Sequence, residues 1–118
     1  MNIYTAQYRY GGEDRLDITV KGNTPPGNVL APDWAMVKGL QAGTMTQWDY
    51  TIAYYSKLVL RMYRAGDAEQ KALDEILTDR QQLTLVCFCP AGQFCHRVLA
   101  ARMLEEMGYG KYLGERLI

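Results

Sequence analysis

Leu83-Thr-Leu-Val-Cys-Phe-Cys-Pro-Ala-Gly-Gln-Phe-Cys-His-Arg97 reads as a strand, a break and the first turn of a helix. From Leu83 to Cys89 the pleat puts Leu83, Leu85, Cys87 and Cys89 on one face and Val86 and Phe88 on the other. Only Thr84 is polar, so both faces are expected to be buried, the pattern of an interior strand in a parallel sheet. Pro90-Ala91-Gly92 break the strand, because proline has no N–H for the ladder and glycine permits a tight turn. From Cys95 the period becomes helical: Leu99, Met103 and Met107 recur every four residues beside Ala100 and Leu104, and Gly108 is placed to end the helix.

Such a unit is also a functional address. Ligands of open α/β sheets sit outside the carboxyl ends of the strands, where free N–H groups of helix N-termini attract anions. The three cysteines and the one histidine of the chain all fall in this stretch.

Around it, Ile3 to Tyr10 reads as a first strand closed by Gly11-Gly12, and Arg15 to Lys21 as a second, with Leu16, Ile18 and Val20 alternating with polar residues. Gly22 to Pro32 is a loop, Asp33 to Leu40 a short helix ahead of Ala42-Gly43, and Thr46-Gln-Trp-Asp49 a capping box with aspartate in place of glutamate. The box opens a helix from Gln47 to Arg64, with Ile52, Tyr55, Val59 and Met62 as its apolar stripe. Ala65-Gly66-Asp67 separates it from a helix over 68–78 that buries Leu73, Ile76 and Leu77, capped by Asp67 with Gln70 answering. Lys111 to Ile118 is a final strand or ordered tail. The expected fold is a single α/β domain over residues 1–118, with a mainly parallel sheet and helices packed against it.

Composition narrows the function. The chain has 118 residues, 48% of them apolar, and thirteen basic residues balance thirteen acidic ones. Zero net charge does not indicate a nucleic-acid partner. The N-terminus lacks the charged-then-apolar order of a signal peptide, and no apolar run approaches the ~20 residues of a membrane span. Three cysteines within nine positions are not a disulfide framework, so the expected location is cytoplasmic and no membrane is expected as a partner. The oligomeric state is left open.

Each candidate residue carries two readings. Cys87-x-Cys89-x5-Cys95-His96 offers zinc its preferred ligand types, but not the spacing of a zinc knuckle, so structural zinc is not expected and no other cofactor is specified. Cys87, in a buried strand, reads as a small apolar residue. A phosphatase or rhodanese loop needs an arginine six residues after its cysteine, and Cys89 to Arg97 is eight. Cys95 at a helix N-terminus beside Arg97 is a candidate nucleophile, or a small residue suited to the turn. His96 is a candidate general base, or a hydrogen-bond partner of loop carbonyls. Arg97 either clamps an anion or pairs with a carboxylate such as Asp17. Among the aromatic residues Trp34, Trp48, Tyr50, Tyr54 and Tyr55, stacking on a ligand competes with core packing. The candidate catalytic residues are therefore Cys95 and His96. The candidate ligand-binding residues are Asp17, Cys89, Arg97, Trp48 and Tyr50.

The pattern Leu85-Val86-Cys87, seven residues, then Cys95-His96-Arg97 resembles the signature of the domain of unknown function 488 family. Ile3-Tyr4-Thr5 and Leu16-Asp17-Ile18-Thr19 resemble its first two strands. Ala31-Pro32-Asp33-Trp34, Gly43 and Trp48-x-Tyr50 resemble the middle of a short branch. The chain departs from the family at Thr19, where arginine is common, and at Cys89, where glutamate is frequent. The resemblance implies a fold and a site location, with no assigned reaction. Two functions of different kinds follow from the whole reading. One is a small-ligand site, for a phosphate-bearing or nucleotide-like molecule, at the turn Cys89–Arg97, catalytic or not. The other is a non-enzymatic interaction or inhibitor module in which the Cys-His-Arg cluster is structural.

Overall fold

A computed structural model describes residues 1–62, 68–90 and 93–117. Four strands form one sheet: β1 (Asn2–Gln7), β2 (Arg15–Asp17), β3 (Gln82–Cys87) and β4 (Lys111–Arg116), in the order β2-β3-β1-β4. Every pairing is parallel. Among the described residues four helices accompany it: α1 (Trp34–Ala42), α2 (Gln47–Met62), α3 (Ala68–Asp79) and α4 (His96–Glu106). The fold is α/β. As the two-faced apolar pattern requires, β3 is interior, with every residue buried except Gln82. It stops at Cys87, two residues before the expected end, which frees Phe88 and Cys89 for the loop.

The early strands are also shorter than their alternation suggests. β1 ends at Gln7, whose carbonyl accepts from Tyr10 N–H at 3.0 Å in a turn. β2 ends at Asp17, because its carboxylate accepts from the N–H and hydroxyl of Thr19 at 2.9 and 2.7 Å. A local Asx turn thus outcompetes the ladder. The loop that follows contains a 3-10 turn, Gly27–Leu30, packed against the end of β2. Any Cβ at residue 27 would collide with the Asp17 carbonyl oxygen, so glycine is required there.

The capping box of α2 forms in full: Asp49 N–H donates to Thr46 Oγ1 at 3.0 Å, and Thr46 N–H to Asp49 Oδ2 at 3.2 Å. Of the expected stripe of α2, Tyr55 packs partly buried against the core, and the Met62 side chain lies outside those described. Tyr50, Tyr54 and Leu58 enter the core, whereas Ile52 and Val59 are about half exposed. Tyr54 is tolerated at zero exposure because its hydroxyl donates to the Leu30 carbonyl. In α3, Leu73 and Leu77 are buried and Ile76 is partly so. The expected Asp67–Gln70 cap lies outside the described residues and side chains. In α4, Ala100, Ala101, Met103 and Leu104 face the core; Leu99 is half-buried and Met107 is exposed beyond the helix. Gly108 follows with φ +85°.

The final segment is a strand, β4, alongside β1. Its register slips once: Ile3 faces Tyr112, but Tyr4 faces Gly114, leaving Leu113 as a bulge. Among the described residues no helix is long and apolar enough to cross a membrane.

Gly27→Ala should destabilise the protein by about 1–3 kcal/mol, since backbone rather than a flexible side chain must move. Gly11→Ala, with open space at its Cβ, should be near neutral. Urea denaturation of the two variants checks this.

Candidate functional site

The end of β3 and the start of α4 bring three sulfur atoms together. Cys87 is the last residue of β3 and is 1% exposed. Cys95 is the extended N-cap of α4, and its Sγ lies 2.6 Å from Cys87 Sγ. Cys89, half-buried in the loop, completes a group whose sulfurs all lie within 4.8 Å of one another. All three are free thiols.

Arg97 holds this group in place. It is 1% exposed, and each of its five N–H donors has an acceptor. Nε and Nη2 form a fork on Glu115 at 3.0 and 2.6 Å. Nη1 donates to Cys87 Sγ at 3.0 Å and to the Cys89 carbonyl at 2.9 Å, and Nη2 reaches the Pro90 carbonyl at 3.4 Å. The expected carboxylate partner, Asp17, is replaced by Glu115, because Asp17 is engaged with Thr19 and with the Tyr8 hydroxyl.

The electrostatics follow from these bonds. The neighbouring Cys89 and Cys95 thiols, aided by the Arg97 charge, push the Cys87 thiol far below its usual range against the cost of burial. The same coupling raises the other two thiols: Cys89 is pushed up to about 11, and Cys95 is raised further. Of the three sulfurs, Cys87 is thus the one whose surroundings favour a thiolate. Burial disfavours the Glu115 carboxylate, but the Arg97 fork outweighs it and holds Glu115 below the usual carboxylate range.

His96 is 7% exposed and kept neutral mainly by burial. Its Nε2 lies 2.8 Å from the Ile18 carbonyl oxygen. A carbonyl only accepts, so Nε2 carries the proton and Nδ1 is left as an acceptor, 3.7 Å from Cys95 Sγ. One nitrogen of His96 thus binds a loop carbonyl, as one of its sequence readings expects, and the other is an acceptor facing Cys95.

A cavity of about 420 Å³ opens over this corner. Trp34, Val37, Tyr50, Phe88 and Phe94 form its apolar walls; Thr19, Lys21, Gln93, Cys89, Cys95 and His96 supply polar atoms. Lys21 is the only formal cation among the described lining residues. Of the candidates, Cys89, Cys95, His96 and Tyr50 line the cavity, and Tyr50 sets its ring edge-on to Phe94 at 5.5 Å. Asp17 and Arg97 lie behind it, and Trp48 is 72% exposed away from it. Sequence reasoning passed over Lys21, Phe94, Glu115 and the charged state of Cys87. Only Cys87 had a signal: the alternation that placed it on the Cys89 face, pointing at whatever the helix start delivers.

The family described as "Active DUF488-N3 subclade" matches residues 24–108, most of the chain. The chain belongs to the DUF488 family. The matched region holds the three cysteines, His96 and Arg97, while Asp17, Lys21 and Glu115 lie outside it. No curated protein and no solved structure matches the chain.

For this DUF488 protein, Arg97→Ala should cost about 3–5 kcal/mol, because it strands the Glu115 carboxylate, and Arg97→Lys should recover only part, because lysine lacks the fork. Arg97→Met combined with Glu115→Leu should restore much of the loss. Glu115 has its pKa depressed on folding, so its contribution is complete above about pH 4.3 and is lost as pH falls further. Glu115→Gln should therefore flatten the acid limb of stability measured by urea denaturation across pH 2.5–7.

Proposed function

We propose that the chain binds a small ligand with a flat apolar body and an anionic group, a phosphate-bearing or nucleotide-like molecule, in the cavity over Cys89, Cys95 and His96. The observation that carries this reading is the composition of that cavity: aromatic walls facing one cation, Lys21, beside the N-terminus of α4. A ring stacks between Tyr50, Trp34 and Phe88, and the anion lies toward Lys21 and the first N–H groups of the helix. Cys95 and His96 are the residues in position to react, with His96 Nδ1 able to take the Cys95 proton. Asp17 and Arg97 act from behind the site: Asp17 shapes the turn that offers the Ile18 carbonyl to His96, and Arg97 holds the cysteine loop. Free thiols suit a reducing compartment such as the cytoplasm. The interaction-module reading is favoured by one observation, the exposed apolar stripe of Trp48, Ile52 and Val59 on α2.

Thermal melts with a panel of nucleotides and with inorganic phosphate separate the two. A nucleotide should raise the melting temperature of the wild type. Lys21→Ala should weaken binding about tenfold or more, the loss of one charge-assisted contact. Trp48→Ala should leave binding unchanged. No shift with any phosphate compound would move the assignment to the interaction module.

We further propose that the sulfur cluster holds no resident zinc. Thiolates 2.3 Å from a tetrahedral zinc stand about 3.8 Å apart, whereas Cys87 and Cys95 are 2.6 Å apart and Arg97 already occupies the Cys87 sulfur. Elemental analysis of purified protein should give well under one zinc per chain; one zinc per chain, lost on Cys95→Ser, would refute this.

A further inference from the structure

We propose that Cys87 and Cys95 form a thiol–disulfide exchange centre, in which Cys95 takes up a sulfur from a low-molecular-weight disulfide in the cavity and Cys87 resolves it. The inference goes beyond the ligand reading and does not depend on it, since it needs the cavity only as the route to Cys95.

Three observations carry it. The two sulfurs are 2.6 Å apart, so closing them to the ~2.05 Å of a disulfide takes about half an ångström. Their surroundings differ: Cys95 lines the cavity, whereas Cys87 lies behind it at 1% exposure. Cys95 is itself only 3% exposed, and its place on the cavity wall, which Cys87 lacks, sets it as the first sulfur to react and Cys87 as the second. The groups each step needs are also in place. His96 Nδ1 faces Cys95 Sγ at 3.7 Å as a proton acceptor, and Arg97 Nη1 donates to Cys87 Sγ at 3.0 Å, favouring the thiolate that attacks. The 2.6 Å contact pairs Cys87 with Cys95 and not with Cys89, which therefore takes no part in bond making.

The step balances. Cys95 passes its proton to His96 and attacks R–S–S–R; the Cys95–S–S–R bond forms, the R–S–S–R bond breaks, and the departing thiolate takes the proton from His96. The Cys87 thiolate then attacks Cys95 Sγ, forming the Cys87–Cys95 disulfide and expelling a second thiolate, which is protonated by solvent. The protein is oxidised by two electrons, and the external disulfide is reduced to two thiols.

The test treats the folded chain with bis(2-hydroxyethyl) disulfide, counts remaining thiols and released mercaptoethanol, and maps the bond. The wild type and Cys89→Ser should each lose two thiols and release two equivalents without a lasting adduct. Cys87→Ser should release one equivalent and keep one adduct on Cys95. Cys95→Ser should react roughly tenfold more slowly or worse. All three cysteines fall in tryptic peptide 81–97, so tandem mass spectrometry of the unreduced wild-type peptide gives a reading that needs no variant. A Cys87–Cys95 ring suppresses backbone fragments throughout 87–95, whereas a Cys87–Cys89 ring releases those between 89 and 95. Loss of exchange in Cys89→Ser, fragments between 89 and 95, or three thiols left unreacted in the folded chain, whether shielded by bound zinc or by burial, would each overturn the proposal.

Discussion

A buried guanidinium with all five donors engaged is the constraint on which the rest of the structure depends. Taking Arg97 out of water is costly, and that cost is offset only because its partners are placed together: the Glu115 fork, two loop carbonyls and one sulfur. Those partners come from β4, from the loop after β3 and from β3 itself. The carbonyls of Cys89 and Pro90 bend the loop back over the start of α4, which brings the second and third sulfurs to the first. The positive charge then adds to what the neighbouring thiols do in favouring an anion on Cys87. Fold and loop shape therefore share a single cause.

The other half of the site depends on a smaller device. Asp17 captures the N–H and hydroxyl of Thr19 and ends β2 early. The backbone that leaves the strand presents the Ile18 carbonyl to His96 Nε2, which assigns the imidazole tautomer and leaves Nδ1 toward Cys95. The region between β2 and the 3-10 turn is packed so closely that residue 27 must lack a side chain. The histidine is thereby oriented by a backbone carbonyl, with Tyr54 set edge-on to its ring.

Much of this was legible in the sequence, for physical reasons that can be named. An uninterrupted apolar run identified the interior strand, proline and glycine the break, and reciprocal Thr46 and Asp49 side chains the start of α2. The Cys-x7-Cys-His-Arg pattern identified the family. What was not legible depended on contacts distant in sequence. Two apolar stripes compete on α2, and periodicity cannot choose between them; the tyrosine stripe wins because Leu30 waits as an acceptor for the Tyr54 hydroxyl. Cys87 looked inert because burial normally keeps a thiol neutral, and what favours its anion comes from neighbours delivered by the loop and the start of α4. Glu115 carried no local signal, as its role follows from the pairing of β4 with β1.

The bulge in β4 shows how narrow the tolerance of that pairing is. In an unbroken strand Tyr112 and Glu115, three positions apart, would point to opposite faces of the sheet. The extra residue at Leu113, passed with Gly114 at φ +119°, resets the alternation. Tyr112 and Glu115 therefore stand opposite Ile3 and Thr5 on one face, where Tyr112 bonds the Thr5 hydroxyl at 2.7 Å and Glu115 meets Arg97. The strand thus behaves like a reading frame. Removing one residue there would leave the pairing of β1 with β4 intact as a ladder, yet turn the counter-ion of the buried arginine out to the wrong side. A one-residue deletion at this edge, far from any cysteine in sequence, would strip the arginine behind the sulfur centre of its carboxylate without altering a single atom of the centre itself.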